Sequence, residues 1–209
     1  MVRKSNTKIT SCYPNKVYFF ICEDKASMCH YLNGLKPYLK QNIKIKVHHS
    51  KGETAKQVYD NAENKYNKLK LDKNAYPKGF EVVACFDKDD NKINDICDIM
   101  KSKKYPISKI YNNPCYEYWL YLHTKKNKPV FASSQDCANK CLLEINSKYK
   151  PKRFKDTAEL KSEKNIFEIV KNDYSTAIKN AESFNFSDYN NTYTNMHKIL
   201  NKIVDKTKI

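Results

Sequence analysis

Apolar residues run unbroken at two places, VYFFIC (17–22) and VVACF (82–86), and each run stops abruptly at carboxylates. Short uninterrupted runs of this kind fit strands buried on both faces, as in the interior of a parallel sheet. IKIKVHH (43–49) alternates apolar and basic positions, the pattern of a strand with one wet face, and PISKIY (106–111) predicts a fourth strand. Between the strands the period becomes helical. ASMCHYLNGLKPYL predicts a helix broken near Gly34 and Pro37, and NDICDIMKS a short one. In ETAKQVYDNAENKYNKLKL, Ala55, Val58, Ala62, Tyr66 and Leu69 recur at helical intervals. Four alternations of strand and helix imply an α/β fold whose parallel sheet is covered on both faces.

The segment YNNPCYEYWLYLHT reads differently. Asn113 followed by Pro114 fits an N-cap and a first helical position. The helix they would start, Cys115 to about His123, is almost free of charge and should be buried. Its one acid, Glu117, falls in the first turn, where the helix dipole favours an anion. From about residue 126 the pattern is helical only, with SQDCANKCLLEINSKY, SEKNIFEIVKNDYSTAIKNAESF and TYTNMHKILNKIV as the expected helices. The expected organisation is a basic N-terminal segment (1–16), an α/β core (17–125) and a C-terminal helical extension (126–209) packed on it. With three glycines in the chain and no GxxxxGK or GxGxxG loop, nucleotide hydrolysis by this chain is not expected.

Composition adds a partner. The 209 residues are 40% hydrophobic and 30% charged, long enough for one good core. No apolar run approaches the ~18 to 20 residues of a membrane span. The basic start MVRKSNTKITSCYPNK lacks the apolar stretch of a secretory signal, so a cytoplasmic protein without a membrane partner is expected. The formal charge of +16 points to a polyanion, nucleic acid first. Only Arg3 and Arg153 among the 39 basic residues are arginine, so AT-rich codon usage offers a second account of the lysines. The eight cysteines form no CxxC pair and supply no structural zinc spacing. Cys22, Cys85 and Cys115 lie in apolar runs, where reduced thiols pack as small hydrophobes.

The chemistry gathers where strands end. In an open parallel sheet, ligands bind at the carboxyl ends of the strands. Glu23 ends the first strand, Asp87 and Asp89 end the third, and Glu117 follows the fourth. Any one of them could be a helix cap. Four together in a chain this basic point to a hard cation, Mg²⁺ (or Mn²⁺), held by oxygen ligands with water and substrate phosphates. Asp90 has the wrong spacing to join both aspartates and is expected to cap the next helix. Glu117 either completes the metal site or orients a neighbour. His123, one turn past Trp119, is either a proton donor to a leaving oxygen or a buried histidine bonded to a backbone carbonyl. Trp119 is expected in the core. Lys25 and Lys88 flank the acids and could neutralise phosphate charge. Lys150, Lys152 and Arg153 in KYKPKRFK form the densest basic cluster, either a phosphate grip or a solvated loop. Sixteen tyrosines among lysines would suit stacking on unpaired bases.

The segments ICEDKASMCHYLNGLK, FDKDD, NNPCYEYWLYLH and NNTYTNMHKILNKI, in that order from residue 17 to about 203, resemble the RloB-like family of small bacterial defence proteins. An acid ending one strand and DxD ending a later one is similar to the Toprim domain of topoisomerases, primases and related nucleases. The resemblance implies a Toprim-like parallel sheet with flanking helices and a C-terminal helical extension. It implies Glu23 as the Toprim acid, Asp87 and Asp89 as the DxD pair, and Asn113, Pro114, Glu117, Trp119 and His123 on the signature helix. The family's first segment usually reads Glu-Gly-Glu-Lys-Thr-Glu. Here Asp24 replaces the glycine and Met28 the last glutamate, so any role of that second acid is lost or moved. What the resemblance implies for function is a metal-dependent nuclease of phage defence, an effector acting on nucleic acid, with RNA (transfer RNA included) preferred over DNA. It also implies a separately encoded ATPase partner. A non-catalytic nucleic-acid-binding or regulatory subunit is the alternative, and the oligomeric state stays open.

Overall fold

The computed structural model describes residues 16–51, 54–72, 74–125, 127, 129–150, 153–184 and 188–209. Lys152, Cys12 and nearly all of the expected N-terminal segment lie outside the described residues. The fold is α/β, a five-stranded, mostly parallel sheet flanked by helices. Its strands are β1 (Lys16–Cys22), β2 (Ile43–His49), β3 (Phe80–Asp87), β4 (Ile107–Asn113) and β5 (Tyr193–Thr194). They lie in the order β2-β1-β3-β4-β5, with β1 to β4 parallel and β5 antiparallel to β4.

The unbroken apolar runs of β1 and β3 follow from their central places. Tyr18, Phe20 and Cys22 of β1, with Val83 and Cys85 of β3, face one core; Val17, Phe19, Ile21, Val82, Ala84 and Phe86 face the other. The second core is closed by α2 (Ala55–Leu71) and α3 (Ile93–Lys101). Helix α2 starts at a capping box in which Thr54 Oγ1 accepts from Gln57 N–H and Gln57 Oε1 accepts from Thr54 N–H. The first core is closed by α1 (Ser27–Gly34), α4 (Glu117–Tyr121), α5 (Ser134–Lys148), α6 (Thr157–Ser162), α7 (Ile166–Val170), α8 (Tyr174–Glu182) and α9 (Met196–Ile203).

The residues after 126 therefore share a core with α1. At Gly34 the approach is so close that an added Cβ would stand 2.6 Å from Phe167 Cβ of α7. Glycine is required there by packing.

Three expectations need correction. Asn113 does not cap a helix: it is the last residue of β4, paired with Tyr193, and the Asn113–Pro114 peptide is cis. The helix begins only at Glu117, after Tyr116. The C-terminal part is not purely helical, because Tyr193–Thr194 extends the ladder beyond β4. A two-residue strand leaves no periodicity to read. Finally, the stretch from 163 to 184 is not one helix but α7, a 3₁₀ turn at Lys171–Asp173, and α8. No helix among the described residues is long and apolar enough to cross a membrane.

Candidate functional site

β1, β3 and β4 are parallel, so their carboxyl ends share one rim. Glu23 leaves β1 while its N–H still donates to Cys85 O of β3. Its side chain turns toward β3, where Oε2 accepts from Asp87 N–H at 2.9 Å and Oε1 from Asn91 Nδ2 at 3.5 Å. Asp87 ends β3 and is buried. Its Oδ1 accepts from Asn112 Nδ2 at 2.9 Å and its Oδ2 from Tyr116 N–H at 3.0 Å. The Asn112 amide is held in turn by Thr194, whose hydroxyl donates to Asn112 Oδ1 at 2.7 Å. The unforeseen strand β5 thus orients the donor that fixes Asp87.

Past Asp87 the chain turns sharply. Lys88 N–H donates to Asn112 O, Asp89 N–H to Pro114 O, and Asn91 N–H to Lys88 O. Asp89 adopts φ +32°, in the left-handed range that aspartate tolerates better than most side chains. The turn exposes Asp89 and Asp90 on the wall of a cleft of about 710 Å³. Glu23, Lys88, Asn91, Asn113 and Ser133, the N-cap of α5, wall it as well.

Glu117 lies to one side, 3% exposed, accepting a 2.8 Å hydrogen bond from Ser27 Oγ of α1. Lys161 Nζ of α6 stands 3.9 Å from its Oε2. Burial opposes the charge on Lys161, yet Glu117, Cys115, Asp89 and Asp24 hold its pKa above the ordinary lysine value. Among the described residues, Glu117 is the one of the four acids with an ion-pair partner within 4 Å. Neither Glu23 nor Asp87 forms an ion pair among the described residues. Burial first, and then the negative charge of Asp89 and Asp24, raises the Glu23 pKa against its two hydrogen bonds. Burial, Asp89, Glu117 and Glu23 raise that of Asp87 well above the ordinary range, opposed by Asn112.

All four predicted acids therefore reach one rim and feel one another's charge, but they do not form a ready-made ligand set. Among the described residues no three His, Cys, Asp or Glu side chains are grouped to hold a metal ion. Asp87 is engaged at both oxygens, and Glu117 is engaged by Ser27 and Lys161. The donor chemistry still fits a hard cation. Mg²⁺ is usually bound through one or two carboxylates with its waters retained, and Glu23 and Asp89 offer that number on the cleft wall, neither of them in an ion pair among the described residues.

His123 does not join the acids. It is fully buried, past the end of α4, with Nδ1–H donating to Trp119 O at 3.0 Å and Nε2 accepting from Tyr31 O–H at 3.2 Å. Burial lowers its pKa to about 4. This is the geometry of a histidine bonded to a backbone carbonyl, and it keeps His123 off the cleft wall. Trp119 is fully buried, as expected of a core residue. Asp90 does not cap α3, whose N-cap is Lys92 with no side-chain bond; Asn91 takes the structural role instead. Its Nδ2 also donates to Asp87 O, and its Oδ1 accepts from Ala55 N–H at the start of α2.

Lys88 reaches the cleft, whereas Lys25 is exposed beside it and is not on its wall. Lys150 is exposed just past the C-terminal end of α5, roughly 22 Å from its cleft end at ~1.5 Å per residue, and Arg153 is exposed beside Phe154, which returns to Asn146 of α5. Seven cysteines, Cys22, Cys29, Cys85, Cys97, Cys115, Cys137 and Cys141, are free, and all but Cys97 are buried.

Sequence reading missed Asn91, Asn112, Ser27, Lys161 and Thr194. Asn112 had a visible signal, as a polar residue at the end of a buried strand directly before the Asn-Pro pair. Lys161 had none.

Fold and rim together define an α/β protein with an acid-lined cleft at the carboxyl ends of a parallel sheet. The chain belongs to the RloB-like protein family, whose model matches residues 18–203. Neither a curated protein nor a solved structure matches it.

Proposed function

We propose that the protein is a Mg²⁺-dependent nuclease of the Toprim type, hydrolysing phosphodiesters of nucleic acid, RNA before DNA, as the effector of a bacterial anti-phage system. The observation that carries this reading is the placing of Glu23 and Asp89, without an ion-pair partner among the described residues, on one cleft wall in a chain of charge +16. Glu23 and Asp89 would hold the ion, with Asp87 beneath them. When bound, Mg²⁺ polarises a phosphoryl oxygen and offsets its charge.

The protein's own groups do the rest. Asp87, held at both oxygens, keeps β3 and the Asp89 turn in register with β4. Lys88 and the positive end of α5 at Ser133 face the cleft, where a substrate phosphate would meet them. Glu23 either helps to hold the ion or, left free of it, is the candidate general base, since burial raises its pKa in the metal-free fold. Without a phosphate-cradling loop, nucleotide chemistry would fall to a separately encoded ATPase.

One observation favours a second reading, a non-catalytic nucleic-acid-binding subunit: Asp87 and Glu117 are both engaged by protein partners. The test is cleavage of end-labelled RNA and DNA pools by the full chain in Mg²⁺, in Mn²⁺ and in EDTA, with Asp89→Asn and Glu23→Gln alongside. The nuclease reading expects metal-dependent cleavage of RNA and a loss of at least about a hundredfold in either variant. Binding without cleavage in any metal would leave the second reading standing.

A further inference from the structure

A second concavity opens near the end of β1, lined in part by Ile21 and Ser50. β2 is the edge strand, and α2 sits over β1 and β3, leaving the α2-facing side of β2 open. That side carries Lys44, Lys46 and His48, while Ile43, Ile45 and Val47 pack on the opposite core. Across the gap, α2 presents Asn61, Asn64, Lys65 and Lys68, at i, i+3, i+4 and i+7, which places all four on one helical face.

The two sides enclose about 570 Å³ walled by His48, His49, Asn61, Asn64, Lys65 and Lys68, with no carboxylate among the described lining residues. The acids of α2 turn elsewhere: Asp60 pairs with Lys56 and Glu63 with Lys104 on the side toward α3. Codon usage can fill a surface with lysine, but it does not by itself keep both acids of α2 off the face that carries Lys65 and Lys68.

The cations are positioned rather than free. Lys65 Nζ lies 4.9 Å and Lys46 Nζ 5.4 Å from the centre of the Phe19 ring, and His48 stacks on the same ring at 6.2 Å. Burial, Lys65 and Lys46 lower the His48 pKa, as expected where like charges converge with no anion between them. Asn61 Nδ2 donates to Ser50 O, and Ser50 N–H donates to Cys22 O, the residue before Glu23. The groove therefore ends beside the acid rim.

We propose that the groove between β2 and α2 binds the sugar-phosphate backbone of a single nucleic-acid strand and leads it past the end of β1 to Glu23. This rests on the nuclease reading for the use of that path, though not for the binding itself. Lysine ammonium groups and asparagine amides are donors suited to phosphate oxygens. A concavity of about 570 Å³ is on the scale of a single strand's backbone rather than of a whole duplex.

The test is fluorescence anisotropy of a labelled single-stranded RNA oligomer on the full chain in EDTA, across a salt series. Lys65→Gln with Lys68→Gln is compared with the matched charge loss Lys101→Gln with Lys103→Gln at the far end of α3. Each phosphate contact on a single strand contributes ~0.7 to the log-log salt slope, so the groove variant should lower its magnitude by about 1.4. Its affinity at moderate salt should fall about tenfold, while the α3 variant keeps the wild-type slope. Because no metal is present, this result stands even where no cleavage is found in Mg²⁺, an outcome that would remove only the nuclease reading. Wild-type slope and affinity in a groove variant with unchanged melting temperature would overturn the proposal. Duplex bound as tightly as single strand and equally weakened would overturn it too.

Discussion

Asp87→Asn in the metal-free chain probes the acid cluster through stability alone. Burial, followed by repulsion from Asp89, Glu117 and Glu23, raises the Asp87 pKa well above its ordinary value. The folded chain therefore keeps a proton that the unfolded chain, titrating near ~3.9, gives up. With more protons bound in the native state, stability falls as pH rises from the unfolded pKa toward the folded one. One proton of difference is worth at most ~1.4 kcal/mol per pH unit. For a chain of 209 residues that is roughly 3 to 6 °C in Tm per pH unit.

Asparagine removes this dependence, and the local hydrogen bonds can accept it. Turning the Asn112 amide over would let its oxygen accept from the new amide at 87, while its nitrogen donates to Thr194 Oγ1. Tyr116 N–H keeps an acceptor. Melting curves in EDTA between about pH 4 and about pH 8 should show the variant above wild type at the alkaline end, with the gap closing toward acid. Carboxylates shifted the other way, such as Glu81, held low by Lys16 and Ser108 against burial, act in both proteins and cancel in the difference. A gap that does not change with pH, or a variant less stable than wild type near pH 8, would refute the reasoning.

Thr194→Val should cost about 2 kcal/mol, or ~4 to 8 °C in Tm, because it leaves Asn112 Oδ1 buried without a donor; a melt within one degree of wild type would count against that account. His123→Ala should cost about 3 kcal/mol by opening a cavity and stranding Trp119 O and Tyr31 O–H. Since the His123 pKa is lowered to about 4, the wild type loses stability as pH falls from ~6.5 toward about 4, and melts of the variant should lack that component. A cleavage pH profile altered in shape between about pH 5 and 8 would instead place His123 in the chemistry.

The sequence was most legible where burial is extreme. VYFFIC and VVACF could only be central strands, because each residue faces one of two cores, and their acidic ends had to reach the rim. The alternation of β2 marked an edge, since half of its side chains never leave water. Asn113 misled for a physical reason: Asn-Pro suits a helix start as well as a strand end, and only the two residues of β5 decide between them. Asn91 looked like one more loop residue among AspAsn pairs, yet its amide joins β1, β3 and α2. Lys161, one of many lysines, acquires its meaning only from α6 being folded back beside α1 and α4.

That last dependence bears on how the chain is divided. The split at residue 126 follows a real change of pattern, from alternating strand and helix to helices, but the site does not respect it. Lys161 balances Glu117, Thr194 sets the Asn112 amide that holds Asp87, and Ser133 at the start of α5 walls the cleft. The apolar face of α1 is covered by Phe167 at a distance only Gly34 permits. Residues 17–125 supply all four rim acids, but the later residues supply the cation, the amide restraint and the cleft wall that decide the state of those acids. A change far along the chain, in α6 or β5, is thus a change at the rim. The acid cluster belongs to the whole fold, and its ionisation reports how the C-terminal helices are seated.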